Sequence, residues 1–309
     1  MAKNLTIVKK NDLIENFIFN ATLMELQILN YAVTMVDPFK ENEGIRYDLD
    51  IKQIANLFNT KSKSIYEDYK AALKRLLKRT FSYVDNSGKV RTSNIVETTI
   101  HKDEDEFLSV IFTRYVEARL QQLRDNFTSY SIDKVSMFNS RYGYMLYELF
   151  LMYLNKCKKS SVLYRIKVKT LKTRLNLTSN YKLFNDFKRR VIHPALDDIN
   201  NHSDLIVDYE VERKGKTPVD FIFKIKYKSL EDEISKIEKD SNYSNAMQDL
   251  IMAGFNETRA KDLILNFGTQ KCIDATRLTL KKSEKGSNIE NIPAFITGVL
   301  VNSKSELAN

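Results

Sequence analysis

The sequence predicts an α+β chain, mainly helical, on three observations. One series of elements occurs twice at a spacing of 117 residues, with Tyr47 matching Tyr164. The excess positive charge falls almost wholly in the second copy. Residues 229–309 carry helical periodicity alone. Each copy runs helix, short strand, helix, longer helix and hairpin, and in the second copy the long helix and the hairpin turn are cationic. That plan is a winged helix, so the expected organisation is two tandem winged-helix domains, 1–132 and 133–228, followed by a small helical C-terminal module, 229–309.

In the first copy Phe19-Asn20 precedes a helical pattern from about Thr22 to Val36, with Leu23, Leu26, Leu29 and Val33 near helical spacing. Arg46 to Leu49 alternates as a strand. Ile51, Ile54, Ala55 and Phe58 mark a short helix, and Asn59-Thr60 a turn. A longer helix from Ser64 to Arg79 buries Ile65, Tyr69, Leu73 and Leu76. Phe81–Val84, the turn Asp85-Asn86-Ser87-Gly88, and one strand from Lys89 to Ile100 complete a hairpin.

The second copy opens at Phe138-Asn139, with a helix from Ser140 to about Lys156. Tyr164–Val168 is its strand, Leu171 and Leu175 belong to its second helix, and Asn176–Asn180 form the turn. A basic helix spans Lys182 to Asn200, starting about Tyr181 and burying Phe184, Phe187 and Val191. His193-Pro194 lies inside it, where proline lacks a donor and disfavours helix before it, predicting a kink or break. Leu205–Val211, a turn over Glu212–Pro218, and Val219–Tyr227 make the wing. Tyr47 with Tyr164, Ile51 with Val168, Ile54 with Leu171 and Asn59 with Asn176 align without a gap, and the third helices align after a shift of about two residues.

Beyond a charged stretch from Ser229 to Ser241, Asn245–Ala253 ends at Gly254 and Glu257–Phe267 at Gly268, as where a left-handed residue closes a helix. Thr269–Lys282 and Ile292–Val301 add two more helices. Met252 to Phe255 with Ala260 and Leu263 is similar to a ubiquitin-associated domain, but helix-pair packing accounts for it.

An apolar content of 43% with 29% charged residues, 8 Gly and 4 Pro describes an ordered globular chain. No apolar run approaches the roughly 18 residues that cross a bilayer, and Met1–Lys10 lacks the pattern of a signal peptide, so a cytoplasmic location is expected. Cys157 and Cys272 are solitary and read as reduced thiols.

Net charge is +1 over residues 1–132, +10 over 133–228 and −2 over 229–309, which recovers the total of +9. A solubilising surface would spread this excess, whereas a phosphate-binding surface concentrates it. On the basic helix Lys182, Asn185, Lys188 and Arg189 lie on or near the outer side, with Arg190 flanking, and Arg213, Lys214 and Lys216 tip the wing. Cations in the amino-terminal half oppose the helix dipole at up to about 1 kcal/mol each, which points to a use outside the helix. Arginine can pair bidentately with guanine while lysines hold phosphates, so double-stranded DNA is the expected partner. In the first copy Lys63, Lys70, Lys74 and Lys78, with Arg75 as a further candidate, are the counterparts, diluted by Glu67 and Asp68, suiting weaker DNA binding or an interface.

Asn180-Tyr181-Lys182, the run from Asp186 to Val191, His193-Pro194 through Asn200 and the strands around Lys214-Gly215-Lys216 resemble the second winged helix of the iteron-binding plasmid replication initiators, the Rep proteins. Asn11–Ile14 leading to Glu25–Leu29 resembles the start of their first winged helix, and Arg141–Tyr153 the helix opening the second. The likeness covers about residues 8–228. It implies binding to direct repeats at a plasmid origin, opening of an adjacent A+T-rich region, and recruitment of host replication proteins: the host initiator and the helicase or its loader. It also implies a first domain that contributes to homodimerisation, and major-groove roles centred on Lys188, Arg189 and Arg190. A transcriptional repressor of its own promoter, or a protein-binding scaffold, would use the same surfaces.

No enzyme is expected. Origin-cutting initiators pair a tyrosine with two histidines one residue apart, and His101, His193 and His202 have no such spacing. There is no phosphate-binding glycine loop ending in Lys-Ser/Thr and no zinc spacing. The acidic run Asp103–Glu106, beside Lys102, reads as a solvated loop. Neither a metal nor a cofactor is expected, and nor is a membrane partner.

Overall fold

The computed structural model describes residues 5–16, 20–40, 44–84, 87–101, 107–229, 238, 240–284, 289 and 291–305. The expectations for Phe19, for the turn residues Asp85 and Asn86, for the acidic run 103–106 and for most of the stretch 229–241 fall outside these residues. The chain divides into two units, Lys3–Tyr227 and Lys228–Asn309, each with its own hydrophobic core.

β1 (Thr6–Lys10) leads into α1 (Asn11–Asn16) and then α2 (Leu23–Val33). Thr22 and Glu25 form a reciprocal cap at the start of α2: Glu25 N–H donates to Thr22 Oγ1 at 3.3 Å, and Thr22 N–H donates to Glu25 Oε2 at 3.0 Å. β2 (Arg46–Asp50) follows, with Asp50 capping α3 (Ile51–Leu57) through Gln53 N–H at 3.0 Å. α4 (Ile65–Leu77) buries Tyr69, Ala72, Leu73 and Leu76.

The single strand expected over 89–100 is two strands in two sheets. β3 (Thr80–Val84) pairs with β4 (Val90–Asn94) as a separate hairpin, whereas β5 (Val96–His101) pairs with β6 (Phe107–Phe112), and β6 with β2. The chain turns at Ile95, which is buried and whose carbonyl accepts Thr113 N–H at 3.1 Å. β6 and the pairing of β1 with β7 (Phe127–Ser131) carry no sequence expectation; α5 (Arg114–Glu117) lies between β6 and β7.

α6 (Arg141–Cys157) starts on Ser140, whose side chain accepts Tyr142 N–H at 3.2 Å. It packs against α1, α2 and β7 on one side and against its own domain on the other, so both winged helices share one core. Lys9 Nζ bridges Glu148 Oε1 at 2.6 Å and Asn30 Oδ1 at 2.8 Å, and Tyr130 O–H donates to the same Glu148 oxygen at 2.5 Å. Burial, then the Glu148 charge, raise the Tyr130 hydroxyl well above its usual pKa, so it stays a donor. Beside this cluster is a cavity of about 80 Å³ lined by Leu13, Leu26, Leu29, Val33 and Tyr144. The buried Tyr144 hydroxyl has no hydrogen-bond partner among the described residues.

β8 (Ser161–Lys167), α7 (Val168–Arg174), α8 (Phe184–Phe187), a π turn over Lys188–Ile192, α9 (His193–His202), β9 (Leu205–Lys214) and β10 (Thr217–Tyr227) complete the second copy. Here the strands form one sheet in the order β8-β10-β9. The strands run through the expected wing turn, which shrinks to the two residues Gly215-Lys216 between paired Lys214 and Thr217. Gly215 has φ +60, which a tight hairpin turn of this length needs in its first position.

The aligned turns of the two copies close identically. Asn59 and Asn176 have φ +47 and +55. Thr60 N–H bonds Ala55 O at 2.9 Å, and Leu177 N–H bonds Lys172 O at 2.7 Å, equivalent five-residue closures. The second unit holds α10 (Tyr243–Met252), α11 (Glu257–Phe267), α12 (Thr269–Glu284) and α13 (Ile292–Ser305) around Leu250, Ile264, Cys272, Ile296 and Leu300. Gly254 and Gly268 follow α10 and α11 with φ +98 and +86. Among the described residues no helix is long and apolar enough to cross a membrane.

Candidate nucleic-acid interface

From α8 to α9 the second copy presents one continuous helical run. Phe187, Val191, Ile192, Ala195 and Ile199 are fully buried, fixing which side faces the core. The disturbance expected at His193-Pro194 is a π turn rather than a break: His193 N–H bonds Lys188 O, five residues back, and Ile192 and His193 keep right-handed helical angles. Pro194 cannot donate to Arg190 O, and its ring would press on that carbonyl in an ordinary turn, so the wider turn relieves both.

The start of the run differs from the sequence expectation. The helix begins at Phe184, so Lys182 lies in a bend before it and remains exposed. Tyr181 sits at φ +53, an uncommon conformation for a residue with a side chain. Lys172 Nζ holds it there, donating to Tyr181 O at 2.7 Å and Asn180 O at 3.3 Å while lying 5.2 Å from the Phe187 ring centre.

Asn185, Arg189 and Arg190 are exposed, as expected. Arg189 Nη2 pairs with Asp186 Oδ1 at 2.9 Å, an exposed contact worth little and readily exchanged for a DNA partner. Lys188, expected on the outer side, is half-buried because its Nζ lies 5.6 Å from the Phe184 ring centre. The guanidinium of Arg213 lies 5.8 Å from that same ring, so one aromatic gathers a helix cation and a wing cation on one face. Arg213 Nη1 also donates to Lys216 O at 3.0 Å, bracing the wing tip, where Lys214 and Lys216 are exposed. Tyr209 of β9 bonds His193 at 2.8 Å through its hydroxyl, tying wing to helix.

Charges elsewhere on this sheet are internally matched. Arg165 pairs with Glu212 and, at 3.3 Å, with Asp220, and Lys224 pairs with Glu210. Lys182, Arg190, Lys214 and Lys216 are exposed.

In the first copy Lys63 and Lys74 are exposed, but the side chain of Lys70 is only 11% exposed, covered by Tyr66 and facing Glu67 at 3.8 Å. Its place is set by packing against Tyr66 and not by the charge of the helix face. Arg75 and Arg79 turn inward to the buried Glu25, each at 3.0 Å. Sequence reasoning missed Lys172 as a positioning residue and Phe184 as the shared ring; the Lys–Phe spacing at 188 and 184 was the available signal for the latter. Among the described residues no cluster of three or more His, Cys, Asp or Glu side chains could hold a metal.

Comparison with known proteins gives three findings. The family described as Initiator Replication protein, WH1, matches residues 6–151, and that described as Initiator Rep protein, WH2, matches residues 167–225. The PI protein of Escherichia coli is 26% identical over 197 residues; the match spans 59% of this chain and 63% of that protein's length. A solved structure of the Pi initiator protein in complex with iteron DNA has the same fold, with a TM-score of 0.64 at 20% identity, covering 74% of this chain and 100% of that one.

Proposed function

This chain belongs to the initiator Rep protein family, and on that premise we propose that it is a sequence-specific DNA-binding initiator of plasmid replication that engages direct repeats at its origin. The observation that carries the reading is the convergence of helix and wing cations in the second winged helix: Lys188 and Arg213 meet on Phe184, with Arg189, Arg190, Lys214 and Lys216 around them. A recognition helix in the major groove puts its amino-terminal residues against base edges, while a cationic wing grips the adjoining phosphates. Lys182, Asn185, Lys188, Arg189 and Arg190 are assigned to the groove, and Arg213, Lys214 and Lys216 to the backbone.

Residues 1–132, with Lys63 and Lys74, supply auxiliary DNA contacts and a homodimer surface. Residues 133–228 carry the main binding, and 229–309 a partner-binding module. The protein acts without cutting DNA, in the cytoplasm, opening the origin and recruiting the host initiator and the helicase or its loader.

Binding of the full-length chain to direct repeats beside its gene, against random duplex at physiological salt, tests this reading. Preferential binding is the expected result, and equal affinity overturns it. Arg189→Ala should weaken specific binding by about 1–3 kcal/mol and leave random-duplex binding nearly unchanged. An equal loss on both would reassign Arg189 to a phosphate. Metal-dependent strand cleavage would refute the non-cutting role.

A further inference from the structure

Leu183 is placed where neither folding nor electrostatics wants a leucine. Its side chain is 69% exposed, and no other exposed large apolar side chain occurs between Leu163 and Tyr227. It also occupies the N-cap of α8, with φ −81 and ψ 129, where Ser, Thr, Asp or Asn would satisfy a free N–H; Leu183 makes no such bond. The first copy has Ser64 at the equivalent cap of α4, so the fold does not call for an apolar residue there.

The approach to Leu183 is held by design of the local contacts. Tyr181 at φ +53 is clamped through its carbonyl by Lys172, so the two residues before the helix cannot relax and carry Leu183 into the core. Exposed Lys182 and Asn185 flank it, and the helix begins at the residue whose ring gathers Lys188 and Arg213. A lone aliphatic group set among polar and cationic residues is a poor protein-docking patch, because no exposed large apolar side chain extends it. It suits a surface that is anionic overall and carries isolated apolar points. The major groove is such a surface, and its one apolar base-edge feature is the C5-methyl of thymine.

We propose that Leu183 is a specificity-determining residue that packs on the methyl group of one thymine in the bound site. This rests on the DNA-reading role argued above for the second winged helix. The test uses the full-length chain and the duplex it selects from a randomised library, with each thymine replaced in turn by deoxyuridine, which removes only the methyl. The wild-type chain should lose about fourfold in affinity at one thymine, the value of one buried methyl, and Leu183→Ala should bind the two duplexes equally. Leu183→Asn, which restores a capping side chain, should keep or raise thermal stability yet lose the same discrimination, separating base contact from fold. If the wild-type chain selects a site but its deoxyuridine profile is unchanged in Leu183→Ala, the methyl contact is wrong while the initiator reading stands. If no site is selected, the initiator reading fails and this contact fails with it.

Discussion

The two winged helices share a plan but put their charges to different uses. In the first, Arg75 and Arg79 close on the buried Glu25, and the hairpin is pinned to its own domain, with the ring centres of Tyr83 and Phe81 3.6 and 5.3 Å from that of Tyr115. In the second, the wing is continuous with the main sheet, its tip is exposed, and the cations near it gather on one ring. The lesson is that a count of basic residues on a helix says little until their acceptors are located. A buried carboxylate turns arginines into structure, and its absence leaves them for a ligand.

The largest effect that would break this contrast is at Glu25. Glu25→Ala removes a fully buried carboxylate, two arginine contacts and half of a capping box, and should cost about 3 kcal/mol of stability in urea unfolding. If it weakens DNA binding instead and leaves the unfolding midpoint in place, the first copy's arginines are not structural. The next effect sharpens the other side. Lys214→Ala should leave stability within about 0.5 kcal/mol but reduce the salt slope of DNA binding by about 0.9, the release expected for one phosphate contact, and Lys74→Ala should do less. Equal changes in slope would place both copies on the DNA equally.

The smallest effect lies where the copies join. Tyr144→Phe removes a buried hydroxyl without a partner and should gain about 1 kcal/mol or less. Burial, then the Asp198 charge, hold that hydroxyl well above its usual pKa. The folded state keeps a proton that the unfolded chain releases near pH 10, so this stability is full below about pH 10 and is lost as pH rises beyond it. Tyr144→Phe should therefore show a shallower alkaline loss in denaturation followed across that range.

The repeat was legible because its markers are local. Asn59 and Asn176 tolerate the left-handed conformation that both turns use, and the apolar spacing of α4 and α6 fixes their buried faces. The split at Ile95 was not legible, since residues 89–100 alternate like one strand and the diversion depends on Thr113, distant in sequence. In the candidate interface the identities of the cations were readable and most are exposed as expected, but which of them would be covered or paired was not readable. Lys188 and Lys70 are partly covered by aromatic rings, and Arg189 lies beside Asp186; each outcome depends on side-chain neighbours that periodicity does not specify.

The π turn at Lys188–Ile192 also has a genetic consequence. Five residues occupy a turn where an ordinary helix would use four, so deleting one of them and closing the turn leaves the flanking segments nearly in register, whereas a deletion elsewhere in the helix rotates one side by about 100° relative to the other. The wide turn thus absorbs one extra residue while Phe187 before it and Ala195 after it both face the core. Loss of one residue from this short segment is thus a change a lineage can make while the packed faces on both sides of it stay in register.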